Sequence, residues 1–175
     1  MNDHTGKPID TESLFGVLKK YLTNPEHNGM ARSIARLEKG IAWDDDLLTG
    51  NTLVDIQHQR LFAHLGDLVK SCEDGSNVAI VKSSLEILVN YAIRHFADEE
   101  ALQLEYNYPD LEQHTKMHDE FKETVAGLVD NYKQNGSTSE LSNVVNKIII
   151  DLLVNHIMNE DMRLSDHIRV VKSVN

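Results

Sequence analysis

From Asp55 onward the chain repeats apolar residues in steps of four and three, the signature of helices that bury one side, and four such runs follow one another. The first, from about Asp55 to Glu73, carries His58, Phe62, Leu65, Val69 and Cys72 on one seam, with Asp55 as its expected cap. The second, from about Asn77 to Tyr106, carries Val81, Leu85, Leu88, Ala92, His95, Glu99 and Leu102. The third, from about Asp110 to Gln134, carries Leu111, His114, His118, Phe121, Val125, Leu128 and Tyr132. The fourth starts near Ser137 to Ser139, reaches at least Leu164, and includes Leu141, Val145, Ile149, Leu152 and His156 on its seam. Turn residues separate the runs: Asp74-Gly75-Ser76, then Asn107 to Asp110 around Pro109, then Asn135-Gly136-Ser137. Long helices with short connections predict an all-α, up-down-up-down four-helix bundle.

Residues 1–40 read differently and form an expected N-terminal extension, leaving 41–175 for the bundle and a last helix that runs on. Asp10 or Thr11 is placed to cap a helix with Leu14, Phe15, Leu18, Tyr21 and Leu22 on one side. Pro25 and Asn28-Gly29 interrupt it before a second short run from Ala31 to Lys39. An arm packed on the main body and an oligomer or signalling contact are both open readings of this segment. His4 and His27 are read as solvent-facing. Trp43, the only tryptophan, is expected to pack on the bundle from an irregular lead-in. The acids Asp44, Asp45 and Asp46 lack the spacing of a calcium loop.

The seams are apolar except at His58, His95, Glu99, His114, His118 and His156. Each such group, buried without a partner, costs a few kcal/mol. His58 lies near the start of the first helix and His95 with Glu99 near the end of the second. His114 and His118 open the third helix, and His156 is near the end of the fourth. In an antiparallel bundle those places share one end, so the polar interruptions form a single layer. Imidazoles with a buried carboxylate suit a transition metal, and five histidines exceed what one catalytic zinc takes. Two metals bridged by carboxylates fit better. Helix four offers Glu160, four residues after His156, or Asp161, which lies about 140° off in an ideal helix but returns if the turn widens to π geometry. Geometry alone leaves both open.

Composition narrows the setting. A formal net charge of -11 argues against nucleic acid as a partner. Cys72 is the single cysteine, which fits a reducing cytosol. No apolar run approaches the roughly 18 residues of a membrane span. The opening MNDHTGKPID lacks the features of a secretory leader, so a cytoplasmic protein without a membrane partner is expected. Glu100, Glu105, Glu112 and Asp119 read as solvated faces, His64 and His167 as surface or rim residues, and Tyr106 and Tyr108 as packing at the second turn.

The stretches DIQHQRLF at 55–62, HFADEEALQLEYNYPDLEQHTKMHDEF at 95–121 and HIMNED at 156–161, with Trp43 ahead of them, resemble the hemerythrin family, specifically its bacterial members, over about residues 41–165. The resemblance implies a non-haem di-iron centre, oxo- or hydroxo-bridged, that binds O2 reversibly. It implies that His58 and His95 hold the iron with the open position. His114, His118 and His156 would complete the other iron, with Glu99 and Asp161 as bridges. An apolar pocket is expected over the open iron, with Phe62, Phe96, Leu152 and Leu153 as its candidate lining. The implied function is oxygen storage, delivery or sensing rather than catalysis. The alternative is a sensor of O2, NO or redox state that signals through the N-terminal arm or the extended last helix, to a second copy or a downstream domain. A di-iron oxidase or peroxidase-like enzyme would need a substrate channel and proton donors, for which no motif is seen.

Overall fold

A computed structural model describes residues 43–76, 78–135, 141 and 150–174. Residues 1–40, with the expected arm, and the start of the fourth helix lie outside the described residues. Within them are α1 (Thr52–Glu73), α2 (Val78–Glu105), α3 (Leu111–Asn135) and α4 (Ile150–His156). A π-helical turn, Ile157–Asp161, joins α4 to α5 (Met162–Val174), so the fourth rod is continuous through the widened turn. No strand occurs among the described residues.

α1 starts three residues before the expected cap. Asn51 caps it, its side chain accepting from the Leu53 amide at 3.1 Å. Asp55 has another task. Its buried carboxylate accepts from Thr49 N at 2.7 Å, Thr49 Oγ1 at 2.8 Å and Gly50 N at 3.1 Å. Those bonds fasten the lead-in to the first turn of α1. The lead-in's short 3-10 turn, Asp45–Leu47, then drops Leu47 fully into the core. Trp43, just ahead of that turn, stands edge-on to Phe62 at 5.7 Å between ring centres.

One apolar cluster draws on α1 to α4 and the π turn: Leu61, Phe62, Leu65 and Leu68 from α1, Val81, Leu85, Leu88 and Phe96 from α2, Val125 and Tyr132 from α3, and Leu153, Val154 and Ile157 from the fourth rod. Phe62, Leu65, Val81, Leu85, Leu88, Val125 and Tyr132 are seam positions, and Leu61, Leu68, Phe96, Leu153, Val154 and Ile157 beside the seams widen the buried stripe that holds the bundle together. The α2–α3 connection is a closed motif. Asn107, at φ +49°, takes the left-handed position that ends a helix; Tyr108 N donates to Gln103 O at 2.8 Å and Asn107 N to Leu104 O at 3.3 Å. Tyr108 then turns inward onto Leu164 and Ile168 of α5, with Leu102 and Tyr106 alongside. The last helix therefore buries Leu164 and Ile168 inside this chain, while Val170 and Val174 stay exposed. The tight turn reverses the chain with His95 and Glu99 before it and His114 and His118 after it.

Candidate metal centre

The bundle brings seven side chains together at one end. His58 comes from the second turn of α1, His95 and Glu99 from the second half of α2, and His114 and His118 from the start of α3. His156 ends α4 and Asp161 ends the π turn. Six of them are at most 1% exposed, and only the side chain of His156 reaches 10%.

Their donor atoms form two sets. Glu99, His114, His118, His156 and Asp161 each present one atom within 4.8 Å of the others, and His58, His95, Glu99 and Asp161 do the same. The two carboxylates belong to both sets. His114 Nε2 and His118 Nε2 lie 3.0 and 3.1 Å from His156 Nε2. Asp161 Oδ1 is 3.0 Å from His156 Nε2 and 3.2 Å from His114 Nε2, while Oδ2 is 3.1 Å from His58 Nε2. Glu99 Oε2 is 3.2 Å from His118 Nε2. Neighbouring ligands about 2.1 Å from a six-coordinate ion stand roughly 3 Å apart, so these spacings are those of donors aimed at shared centres.

Hydrogen bonding does not account for the convergence. Both oxygens of Glu99, both of Asp161, His58 Nε2 and His95 Nε2 are buried without a hydrogen bond of good geometry. A neutral imidazole has one acceptor nitrogen and one donor, and three Nε2 atoms meeting at one point cannot all donate. Buried lone pairs left in this state are destabilising unless cations take them up. The residues present therefore fit a pair of metal ions.

The outer nitrogens explain part of the aim. His95 Nδ1 meets Gln57 Oε1 at 3.1 Å, and Gln57 Nε2 donates to Asp98 Oδ2 at 2.7 Å. His118 Nδ1 meets Glu100 Oε1 at 2.9 Å. Such contacts fix the tautomer that turns Nε2 inward. Glu100 is thus no solvated-face residue. Its place beside the inward Glu99 hid this, since the partner lies on another helix. Gln57 and Asp98 escaped sequence reading for the same reason. His64 faces Tyr91, and His167 Nε2 meets Tyr106 O at 2.9 Å; both stand apart from the two donor sets.

Electrostatics divides the histidines. Burial, opposed by the charge of Glu99, lowers the pKa of His95 to about 4, so it is a neutral donor. Burial would also lower His156, but the charge and contact of Asp161 outweigh it and raise His156 to about 9. Asp161 itself is held well below the usual range: burial opposes this, and the histidines around it, His156 foremost, prevail.

Asp161, not Glu160, reaches the cluster. The π turn brings the fifth residue after His156 back onto the seam, while Glu160 turns to Arg163 at 3.4 Å. Of the expected pocket lining, Phe62 lies on the His58 side under Trp43, and Leu153 is buried one turn before His156. Phe96 stacks on His118 at 4.1 Å and stands 5.4 Å from His95, so it borders both donor sets. The side chain of Leu152 lies outside the described residues.

A four-helix bundle with two overlapping donor sets in its core defines a metal-binding helical protein. The chain belongs to the hemerythrin family: the model of the hemerythrin HHE cation binding domain matches residues 49–168. It is similar to a bacteriohemerythrin of Pseudomonas paraeruginosa (strain DSM 24068 / PA7), 30% identical over 129 residues, 74% of this chain and 82% of that protein. A hemerythrin-like protein of Naegleria gruberi is 29% identical over 121 residues, 69% of this chain and 87% of its own length. A myohemerythrin of Theromyzon tessulatum is 30% identical over 121 residues, 69% and 88% of the two chains.

Proposed function

We propose that this chain holds two iron ions and binds O2 reversibly between them and the apolar interior. The observation that carries the reading is the inequality of the donor sets: five atoms in one, four in the other, with Glu99 and Asp161 common to both. With an oxo or hydroxo bridge added, His114, His118, His156 and the two carboxylates would hold one iron in six positions. His58, His95 and the same carboxylates would hold the other with one position free. Bound there, the pair of ferrous ions would supply the two electrons needed to hold O2, and recover them on release.

The chain's own residues do the rest. Glu99 and Asp161 balance charge and set the spacing. Gln57 and Glu100 hold His95 and His118 in register. Phe96, Leu153 and Phe62 keep water from the layer. Among the described residues the cavity beside the layer is lined by hydrocarbon alone. α5 buries Leu164 and Ile168 against Tyr108 within the chain, which favours binding over relay through the last helix.

The test is an absorption spectrum through cycles of deoxygenation and reoxygenation. Iron-replete protein should lose its ligand-to-iron charge-transfer bands on deoxygenation and regain them with O2. A spectrum indifferent to O2, or one that bleaches after a single cycle, contradicts reversible binding.

A further inference from the structure

The bundle holds a cavity of about 20 Å³ directly below the donor layer. Each of α1 to α4 contributes a lining residue one turn inward of a donor histidine: Leu61 after His58, Ala92 before His95, Phe121 after His118 and Leu153 before His156. Leu88 lies deeper, and Phe96 forms the wall shared with the layer, stacked on His118 and 6.1 Å from the ring of His156. A cavity needs roughly 10–15 Å³ to admit one water, so the space is sufficient for a molecule of that size. The lining is chemically wrong for water. Among the described residues it offers none of the two to four hydrogen bonds a buried water needs, and apolar cavities of this kind stay dry. An apolar molecule of similar size loses nothing there and gains dispersion contacts on every side.

We propose that this cavity is a second ligand site, a holding site for one small apolar gas molecule, from which O2 reaches the donor layer past Phe96 and Leu153. The proposal rests on the reading of the chain as an O2 binder. Its position makes the cavity a filter as well as a reservoir. The gas partitions into hydrocarbon and waits one turn from the open position, whereas water is excluded on that side.

Xenon is the probe, since it is apolar, monatomic and strongly scattering. Crystals of the iron-loaded protein under xenon pressure should show one xenon peak inside the ring of Leu61, Ala92, Phe121 and Leu153. Ala92→Val fills the space; it should abolish the peak and slow O2 association several-fold in stopped flow at unchanged iron content. Should Ala92→Val misfold, Leu88→Ala serves instead: it should retain the peak at higher occupancy and not slow association. A wild-type crystal without xenon in the cavity overturns the site. Loss of xenon in Ala92→Val with O2 association unchanged overturns its role as a reservoir. Xenon bound in a protein that takes up no O2 overturns the functional reading and leaves the site standing.

Discussion

Gln57 neighbours His58 in sequence but serves His95 in space. Its carbonyl accepts from His95 Nδ1 and its amide is fixed by Asp98, so the imidazole is locked with Nε2 inward. Gln57→Leu should keep the helical fold and lower iron affinity about 10- to 100-fold, the usual effect of removing the partner of a metal-bound histidine. Competition with a chelator measures it; unchanged affinity would remove Gln57 from the centre. The histidines also set how the metal-free protein responds to pH. His95 falls to about 4 when folded, against about 6.5 unfolded, so its neutral form contributes stability above pH 6.5 that is lost as pH falls toward 4. His156 rises to about 9, so its charged form contributes stability fully present below pH 6.5 and lost as pH climbs through 9. Chemical denaturation of protein stripped of metal should therefore show a maximum near pH 6.5 from these two groups. His95→Asn should flatten the acid limb and His156→Asn the alkaline one; limbs that survive both substitutions contradict the assignment. At this scale the sequence was legible only for residues on the seams. Six of the seven donors interrupt an apolar stripe and announce themselves. Gln57, Asp98 and Glu100 lie off the stripe and act across helix pairs, which periodicity along one helix cannot register.

The π turn decides what the fourth rod contributes. In a regular helix Glu160 would share the face of His156; the widened turn at Ile157–Asp161 substitutes Asp161 and sends Glu160 to Arg163. Asp161→Ala should then cost iron from both positions, because its two oxygens face His58 on one side and His114 and His156 on the other. Glu160→Ala should keep the full iron content. Metal analysis of the two variants distinguishes them, and the reverse outcome would mean the turn is regular in solution. Helix identity was readable from the four/three repeat, and so were the breaks at Gly75 and Pro109. The start of α1 was not. Asp55 has the chemistry of a cap, but the irregular lead-in needed a buried acceptor for three donors, and Asn51 took the capping position. The extent of α5 was readable, but not the purpose of its apolar side. Tyr108 meets Leu164 and Ile168 only because the left-handed Asn107 turns it inward, a contact no repeat encodes.

The described residues form an apolar bundle with a polar layer at one end and a hydrocarbon-lined cavity beneath it. Each of α1 to α4 supplies at least one donor to the layer, so metal binding is linked to bundle stability, and iron should raise the unfolding temperature as well as fill the site. The layer is tolerable in a core only if ions take up the lone pairs that converge there. Iron-edge anomalous diffraction from crystals of protein expressed with ample iron measures this directly. Two peaks are predicted, one enclosed by His114, His118 and His156 and one beside His58 and His95, with Glu99 and Asp161 between them. A single peak, or none at full protein occupancy, would contradict the account.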